Sequence, residues 1–403
     1  MRPTPIRFSS VMRWVCFLYF LQGWPFGLVN DVIPVLLRRS GTSLRVIGWM
    51  TALTLPWSLK WIWAPFLDRV GRRRLWTYRL LLLSGTGILL TAGTGLHRTT
   101  FLLAVTIAGI TFLSALQDTS IDGYSISFLK PEELGMANGL RVLAFRLALV
   151  CTGGFLLSQA EVLGWKGIAY ISGALLIIGG FILNRSGPRP FDTESHATTF
   201  SISDTFLSFI RKDKVYLYIL FVFFYKLGDL SLTPMIRPFW VDAGLDLRRI
   251  GWLQGGVVVT TGALGAILGG WITSKLGIYR ALLWLGIAQA ASNLGYTLVA
   301  TRPEPTLIFG AAGIEAFCGG LGTAVFLAFL MSICDREFAA THYALLTTLY
   351  GLGRVAAAAL SGGLAEHFGY VQYFALTFLL ALPGLMLIPH LPFKPAHQVR
   401  KGI

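Results

Sequence analysis

Apolar segments about as long as a membrane is thick follow one another along almost the whole chain. A helix needs about 20 residues to cross the hydrocarbon of a bilayer, and twelve such segments can be marked in the 403 residues. A helix of this length hydrogen-bonds its own backbone, as hydrocarbon requires. The sequence therefore predicts an all-α polytopic membrane protein. The predicted spans are 11–36, 46–66, 76–95, 101–128, 137–159, 166–184, 214–238, 249–274, 279–299, 305–333, 343–364 and 369–390.

Composition and charge agree with a membrane protein and argue against a nucleic-acid-binding one. Charged residues make up 13% of the chain, against roughly 25% in an average soluble domain. The net charge is +15, but lysines and arginines concentrate in the loops on one side of the predicted spans. This is the bias of the positive-inside rule. It predicts that both termini are cytoplasmic, and it leaves no basic arm for nucleic acid.

An internal repeat divides the chain into two parts. The segment SGTSLRVIGW at 40–49 recurs as AGLDLRRIGW at 243–252, an offset of 203 residues. Gly164 and Gly369, each followed by an aromatic residue, repeat at an offset of 205. Two parallel six-helix repeats indicate the major facilitator fold, with a solute site at the midplane between the repeats. The predicted domains are an N-terminal half (1–184), a polar cytoplasmic linker (185–213) and a C-terminal half (214–403).

Two aspartates stand inside the fourth predicted span, in the stretch ALQDTSIDGYSISF. Asp118 and Asp122 are four residues apart, so they share one face of a helix. A carboxylate in hydrocarbon is costly and nearly always faces a partner or a cavity. Helix rises place Asp118 level with Arg146, and Asp122 level with Arg141, in span five. We predict these two ion pairs, either as the proton-coupling site of a transporter or as static pairs that never titrate.

Two further charges have two interpretations each. Lys60 either extends to the lipid headgroups or faces the acids of span four, and the sequence does not choose between them. Asp31 is interpreted as a helix-end residue that reaches water, in preference to a functional acid at the outer mouth.

Other polar residues inside the spans predict a path for the solute. Lys226 and Asp229 are three residues apart near the middle of span seven, and Glu315 and Arg354 lie level with each other in spans ten and eleven. These side chains either face the solute or pair with one another. Trp57 is deep enough to stack on a sugar ring. The predicted path residues are Lys60, Gln117, Lys226, Asp229, Glu315, Arg354 and Trp57.

The segment DRVGRRR at 68–74 matches the loop between helices two and three of major facilitators. An aspartate at a helix end followed by arginines predicts a latch to neighbouring helix ends, although plain membrane anchoring is the alternative. The predicted cytoplasmic gate residues are Asp68, Arg69, Gly71, Arg72 and Arg73. The four cysteines fall in predicted spans without a CxxC pattern, so we predict neither disulfides nor a metal site.

Longer motifs resemble the AmpG-type muropeptide permeases of the major facilitator superfamily. They include LKWIWAPFLDR, QDTSIDGY, YKLGD, YRALLWLGIAQAASNLGY and YALLTTLYGLGRV, in order through both halves. The resemblance implies proton-driven import of anhydro-muropeptides across the inner membrane by alternating access. The related siderophore importers of the rhizobactin and pyochelin type provide the alternative solute. We expect a monomer in contact with lipid that carries a small-molecule solute with protons, needs no cofactor and is not an enzyme.

Overall fold

The structure is a computed structural model that describes residues 10–60, 62–63, 73–94, 100–129, 133–188, 214–334 and 339–392. Ten helices within these residues are long and apolar enough to cross a membrane. The prediction of an all-α polytopic membrane protein is therefore confirmed. The described helices are α1 (Ser10–Arg39), α2 (Leu44–Ala52), α3 (Leu55–Ser58), α4 (Arg73–Thr94), α5 (Thr100–Ser127), α6 (Leu134–Leu149), α7 (Ala160–Ser186), α8 (Val215–Asp242), α9 (Leu247–Leu276), α10 (Ile278–Thr301), α11 (Pro305–Ser332) and α12 (Ala339–Leu387).

The structure departs from the predicted spans at the second one, which is described only in part, so the count of twelve stays a prediction. The start of the second span is split into α2 and α3, and Pro56 stands in the first turn of α3, where a missing N–H is tolerated. The last two predicted spans are two helices within α12 that meet at a kink, where Gly369 has a non-helical backbone.

The two copies of the repeated segment adopt the same local structure. Gly41 and Gly244 end their helices with φ of +85° and +82°, values that only glycine adopts readily. Two residues later, the Ser43 Oγ and the Asp246 carboxylate each accept the backbone N–H three residues ahead, at 3.3 and 2.7 Å. These are N-caps of α2 and α9.

Gly164 and Gly369, the second repeated pair, offer a stability test. Both have positive φ (+59° and +74°), and a Cβ added to either would meet nothing within 4 Å. Alanine should therefore destabilise the protein by about 1–2 kcal/mol at each site through the backbone alone. Gly109→Ala, also with open space around it but inside α5, should be neutral or stabilising. Unfolding of the purified variants in denaturant would measure this, and three equal stabilities would contradict it.

The chain forms two compact units. Unit 1 comprises residues 1–197 and 236–259, and unit 2 comprises residues 198–235 and 260–403. In unit 1, α1 packs against α5 and α6, and α4 packs against α5 and α7. In unit 2, α10 packs against α11 and α12, and the core includes the stacked rings of Tyr225 and Phe326, 5.7 Å apart. Each unit contains one of the polar clusters predicted from the sequence.

Candidate functional site

Lys60 and the two acids of α5 form the centre of a polar cluster in unit 1. The Lys60 Nζ lies 3.4 Å from Asp118 Oδ2 and 3.5 Å from Asp122 Oδ2. Of the two interpretations of Lys60, the structure therefore supports the one in which it faces the acids. Their side chains keep 46%, 16% and 24% of their surface exposed, respectively, so none of the three is enclosed by protein alone.

Asp122 has two further partners. The Tyr19 hydroxyl of α1 donates a hydrogen bond of 2.7 Å to Asp122 Oδ1, and the Arg141 Nη2 lies 3.9 Å from the same oxygen. The predicted Asp122–Arg141 pair is thus confirmed. The Arg141 guanidinium also lies over the Tyr19 ring, 5.0 Å from its centre, in a cation–π contact. Tyr19 was missed by the sequence reasoning.

Asp118 has partners other than the predicted one. The Gln22 amide of α1 donates a hydrogen bond to Asp118 Oδ1, and Lys60 supplies the cation. The predicted Asp118–Arg146 pair is wrong: the ion pairs between described residues do not include it. Helix rises give height in the membrane but not direction around the helix, and Asp118 points toward α1. Gln117, one residue earlier, is fully buried and donates to the Leu21 carbonyl of α1 at 3.2 Å.

The four charged residues Lys60, Asp118, Asp122 and Arg141, hereafter the acid cluster, can gain a net positive charge by taking up a proton. Two carboxylates and two cations sum to zero charge when all are ionised. One proton on either acid raises the sum to +1 and leaves Lys60 with one anionic partner in place of two. An intramembrane group of this kind suits proton transfer or anion binding.

Three aromatic side chains of unit 1 lie in contact with one another. The Trp57 ring of α3 lies 4.9 Å from the Phe26 ring, which in turn lies 5.6 Å from the Phe145 ring. Trp57 is half-buried, so part of its surface remains available. The placement agrees with a stacking surface, and that role stays a prediction.

Unit 2 contains a second polar cluster around Lys226, which lies where α8 is interrupted between Tyr225 and Leu227. Of the two interpretations of Lys226 and Asp229, the structure supports pairing, with 3.4 Å between Nζ and Oδ2. Gln289 Oε1 and Thr323 Oγ1 also accept from Nζ, at 2.9 and 3.0 Å. An ammonium group has three protons, so this Lys226, only 1% exposed, has a partner for each.

Glu315 and Arg354 also belong to unit 2. A Cβ built on Gly319 would lie 3.7 Å from Glu315 Oε1 and 4.0 Å from Asp229 Oδ1, so the two carboxylates converge on this glycine. Arg354 is half-buried on α12, one turn from Tyr350. The ring of Tyr350 lies 5.4 Å from the Phe326 ring.

The predicted cytoplasmic gate is described only in part. Asp68, Arg69, Gly71 and Arg72 lie outside the described residues. Arg73 donates to the Gly123 carbonyl at 3.3 Å, and Arg74 donates to the Leu183 and Asn184 carbonyls near the end of α7, at 3.1 and 2.6 Å. Cations are favourable at a helix C-terminus. A gating role for these arginines stays a prediction.

Asp31 was interpreted wrongly from the sequence. It is 3% exposed and forms an ion pair with Arg237, and the Gln254 amide donates to it at 3.3 Å. All three residues belong to unit 1. The Gly153 backbone lies so close that an added Cβ would be 2.8 Å from the Asp31 Cβ.

A signal for the buried pair was present in the sequence. Asp31 and Arg237 are 206 residues apart, and the exposed pair Arg38–Asp242, joined at 2.6 Å, is separated by 204 residues. Both separations are close to the repeat offset, so each pair joins equivalent heights of α1 and α8. Opposite charges separated by one to three residues more than the repeat offset of 203 are thus the signal for both pairs.

The sequence of this chain is similar to a known protein family and to named transporters. The family model described as Major Facilitator Superfamily matches residues 15–314 and 231–402. The anhydromuropeptide permease of Escherichia coli (strain K12) is 33% identical over 385 residues, covering 92% of this chain and 77% of the relative. Putative transporter AmpG 4 of Rickettsia felis is 26% identical, covering 94% of this chain and 95% of that one.

Two solved structures share the fold. A bacterial homolog of the human lysosomal transporter Spinster, inward-facing and unoccupied, superposes with a TM-score of 0.75 at 16% identity, covering 98% of this chain and 100% of that one. The nucleoside transporter NupG superposes with a TM-score of 0.73 at 14% identity, covering 96% and 100%. At this identity the likeness concerns the fold alone.

Proposed function

We propose that this chain, which belongs to the Major Facilitator Superfamily and to its AmpG-type branch, imports anhydro-muropeptides together with protons. The family model and the relatives make it a multi-pass membrane transporter and not an enzyme. The substrate rests on one observation, the 33% identity to the anhydromuropeptide permease over 92% of this chain. We further propose the inner membrane as its location, with both termini cytoplasmic, and a monomer as the working form.

The acid cluster is the proposed coupling site. A proton on one carboxylate gives the cluster a charge of +1 and leaves Lys60 with a single anionic partner. The peptide of the solute carries carboxylates, and one of these can then take the vacated position beside Lys60. Proton and solute binding would favour each other because each supplies the charge that the other needs.

Asp118 is the acid that we propose carries the proton. Asp122 is held by two cations, Lys60 and Arg141, and by the Tyr19 hydroxyl. Asp118 is held by Lys60 and by the neutral amide of Gln22. Fewer cations stabilise the charged form of Asp118 than that of Asp122. Protonation of Asp118 therefore breaks fewer ion pairs.

The cluster of unit 2 is the proposed contact for the remainder of the solute. Lys226 has three acceptors, so it binds an anionic solute group only when Asp229 moves away. Glu315, Arg354 and, in unit 1, Trp57 would complete the path. Transport would follow alternating access of the two six-helix halves, 1–184 and 214–403, about a midplane site. The 68–73 segment would act as the cytoplasmic gate.

Uptake into membrane vesicles tests the proposal. Vesicles containing the protein should accumulate radiolabelled anhydro-muropeptide, and a protonophore should reduce uptake to the level of vesicles without the protein. An iron-loaded siderophore of the pyochelin type serves as the competing solute and should not accumulate. Muropeptide uptake that survives the protonophore would exclude proton coupling. Siderophore uptake without muropeptide uptake would replace the substrate.

A further inference from the structure

A small cavity lies beside the Lys226–Asp229 pair in unit 2. Its polar lining is the carboxylate of Asp229 and the amides of Gln289 and Asn293 on α10. Its apolar lining comes from Tyr225, Gly286, Ala290, Ala381 and Leu385. The free space is enough for about one water molecule.

Two buried amides in the lining have atoms without a hydrogen-bond partner. Asn293 is 1% exposed, and neither its Nδ2 nor its Oδ1 is bonded to protein. Gln289 is 5% exposed; its Oε1 accepts from Lys226, but its Nε2 has no partner. Buried polar groups are rarely left unpaired, because each loses its bonds to water on burial. Three such atoms around one cavity therefore point to a bound molecule.

We propose that one ordered water molecule occupies this cavity, bound by Asn293, by Gln289 Nε2 and by Asp229. The lining offers both donors and acceptors, as a water molecule requires. A cation would lie close to the Lys226 ammonium, which bonds Gln289 and Asp229 of the lining, and an anion would lie close to the Asp229 carboxylate. A group of the solute larger than water exceeds the space.

The water assigns a role to Asn293. The two ends of the Gln289 amide differ: Oε1 accepts from Lys226, whereas Nε2 is a donor that Lys226 would repel. A water molecule held by Asn293 gives Nε2 its own acceptor, so Oε1 stays turned toward Lys226. Asn293 is thus a positioning residue, which acts on Lys226 through the water and Gln289. The motif AQAASN places the two amides four residues apart on one face of α10.

Thermal unfolding of the full-length protein in detergent tests whether the water is present. The sign of the change in melting temperature on substituting Asn293 gives the answer. If the cavity holds water, Asn293→Leu removes partners of that water and should lower the melting temperature by about 2–4 °C. If the cavity is dry, the same substitution removes two unpaired polar atoms and should raise it. Ser292→Ala is the matched control. Its Oγ donates to the Gln289 carbonyl within α10 at 2.7 Å, so the melting temperature should change little.

Asn293→Ser separates hydration from packing. Serine keeps a donor and an acceptor and leaves space for a second water, so it should recover part of the melting temperature lost in Asn293→Leu. A melting temperature as low as that of Asn293→Leu, or lower, would mean that Asn293 acts by packing, and would overturn the proposal. An increase in Asn293→Leu would overturn it as well.

Transport gives a second measurement. Uptake of radiolabelled anhydro-muropeptide should fall about fivefold in Asn293→Leu, the effect of losing one net hydrogen bond, and should recover in part in Asn293→Ser. Unchanged uptake in Asn293→Leu would overturn the positioning role. The water site does not depend on the proposed substrate, because the unfolding measurements need no solute. A wild-type protein that imports no muropeptide would refute the proposed function and leave the unfolding result standing.

Discussion

Asp118→Asn is expected to abolish uptake driven by the proton gradient while the exchange of labelled for unlabelled solute continues. Asparagine resembles the protonated acid, so the acid cluster keeps the charge of +1 throughout the cycle. The amide oxygen can still accept from Lys60, and the amide nitrogen can donate to Gln22 Oε1 once the Gln22 amide turns over, so the local structure should survive. Solute can then bind and cross in both directions, but no proton is bound and released. Uptake and counterflow in the same vesicle preparation would measure the two activities.

Two variants complete this experiment. Asp242→Asn also removes one acid from an ion pair, but from the partly exposed pair with Arg38, and gradient-driven uptake should remain. Asp122→Asn should retain more gradient-driven uptake than Asp118→Asn if Asp118 carries the proton. Equal loss in both would mean that the two acids share it. Loss of exchange together with uptake in Asp118→Asn would argue against a coupling role.

The periodicity and repeat of the sequence predicted much of the fold. Hydrophobic segments indicate membrane helices because hydrocarbon demands internal backbone hydrogen bonds. The repeated segments predicted equivalent places in two halves, and Gly41 and Gly244 do share one backbone conformation. Pairing of Lys226 with Asp229 could be proposed from the sequence because a spacing of three residues brings two side chains to one side of a helix.

Pairs between different helices were predicted less well, for a physical reason. Counting residues from a helix end gives height, which was sufficient for Asp122 and Arg141. It gives no rotation, and the rotation of α5 turns Asp118 toward Gln22 and Lys60 and away from Arg146. The unpaired amide atoms of Asn293 and Gln289 could not be predicted from the sequence, because the number of hydrogen-bond partners of a side chain depends on how the helices pack. The periodicity of a sequence carries no information about that number.

Breaking the buried Asp31–Arg237 pair of unit 1 should be strongly destabilising. Asp31→Ala is expected to destabilise the protein by about 3–5 kcal/mol, because it leaves the Arg237 guanidinium buried without its anion. Removing both charges, in Asp31→Ala with Arg237→Met, should cost less than Asp31→Ala alone, since no uncompensated charge remains. Unfolding of the purified variants in denaturant would measure the energies, and the double-mutant cycle, completed by Arg237→Met alone, would isolate the interaction.

Asp242→Ala is the control for the buried pair. Asp242 forms an ion pair with Arg38 that also connects α8 with α1, but both side chains are partly exposed. An exposed pair contributes about 1 kcal/mol or less, so the two alanine variants should differ by several-fold in their destabilisation. Hydrogen exchange would show which part of the protein is destabilised. Residues 236–259 belong to unit 1, and Asp31 contacts both Arg237 and Gln254 in that segment. Protection in that segment should fall in Asp31→Ala and remain in Asp242→Ala. Equal destabilisation by the two variants would mean that burial of the Asp31–Arg237 pair contributes nothing beyond a surface contact.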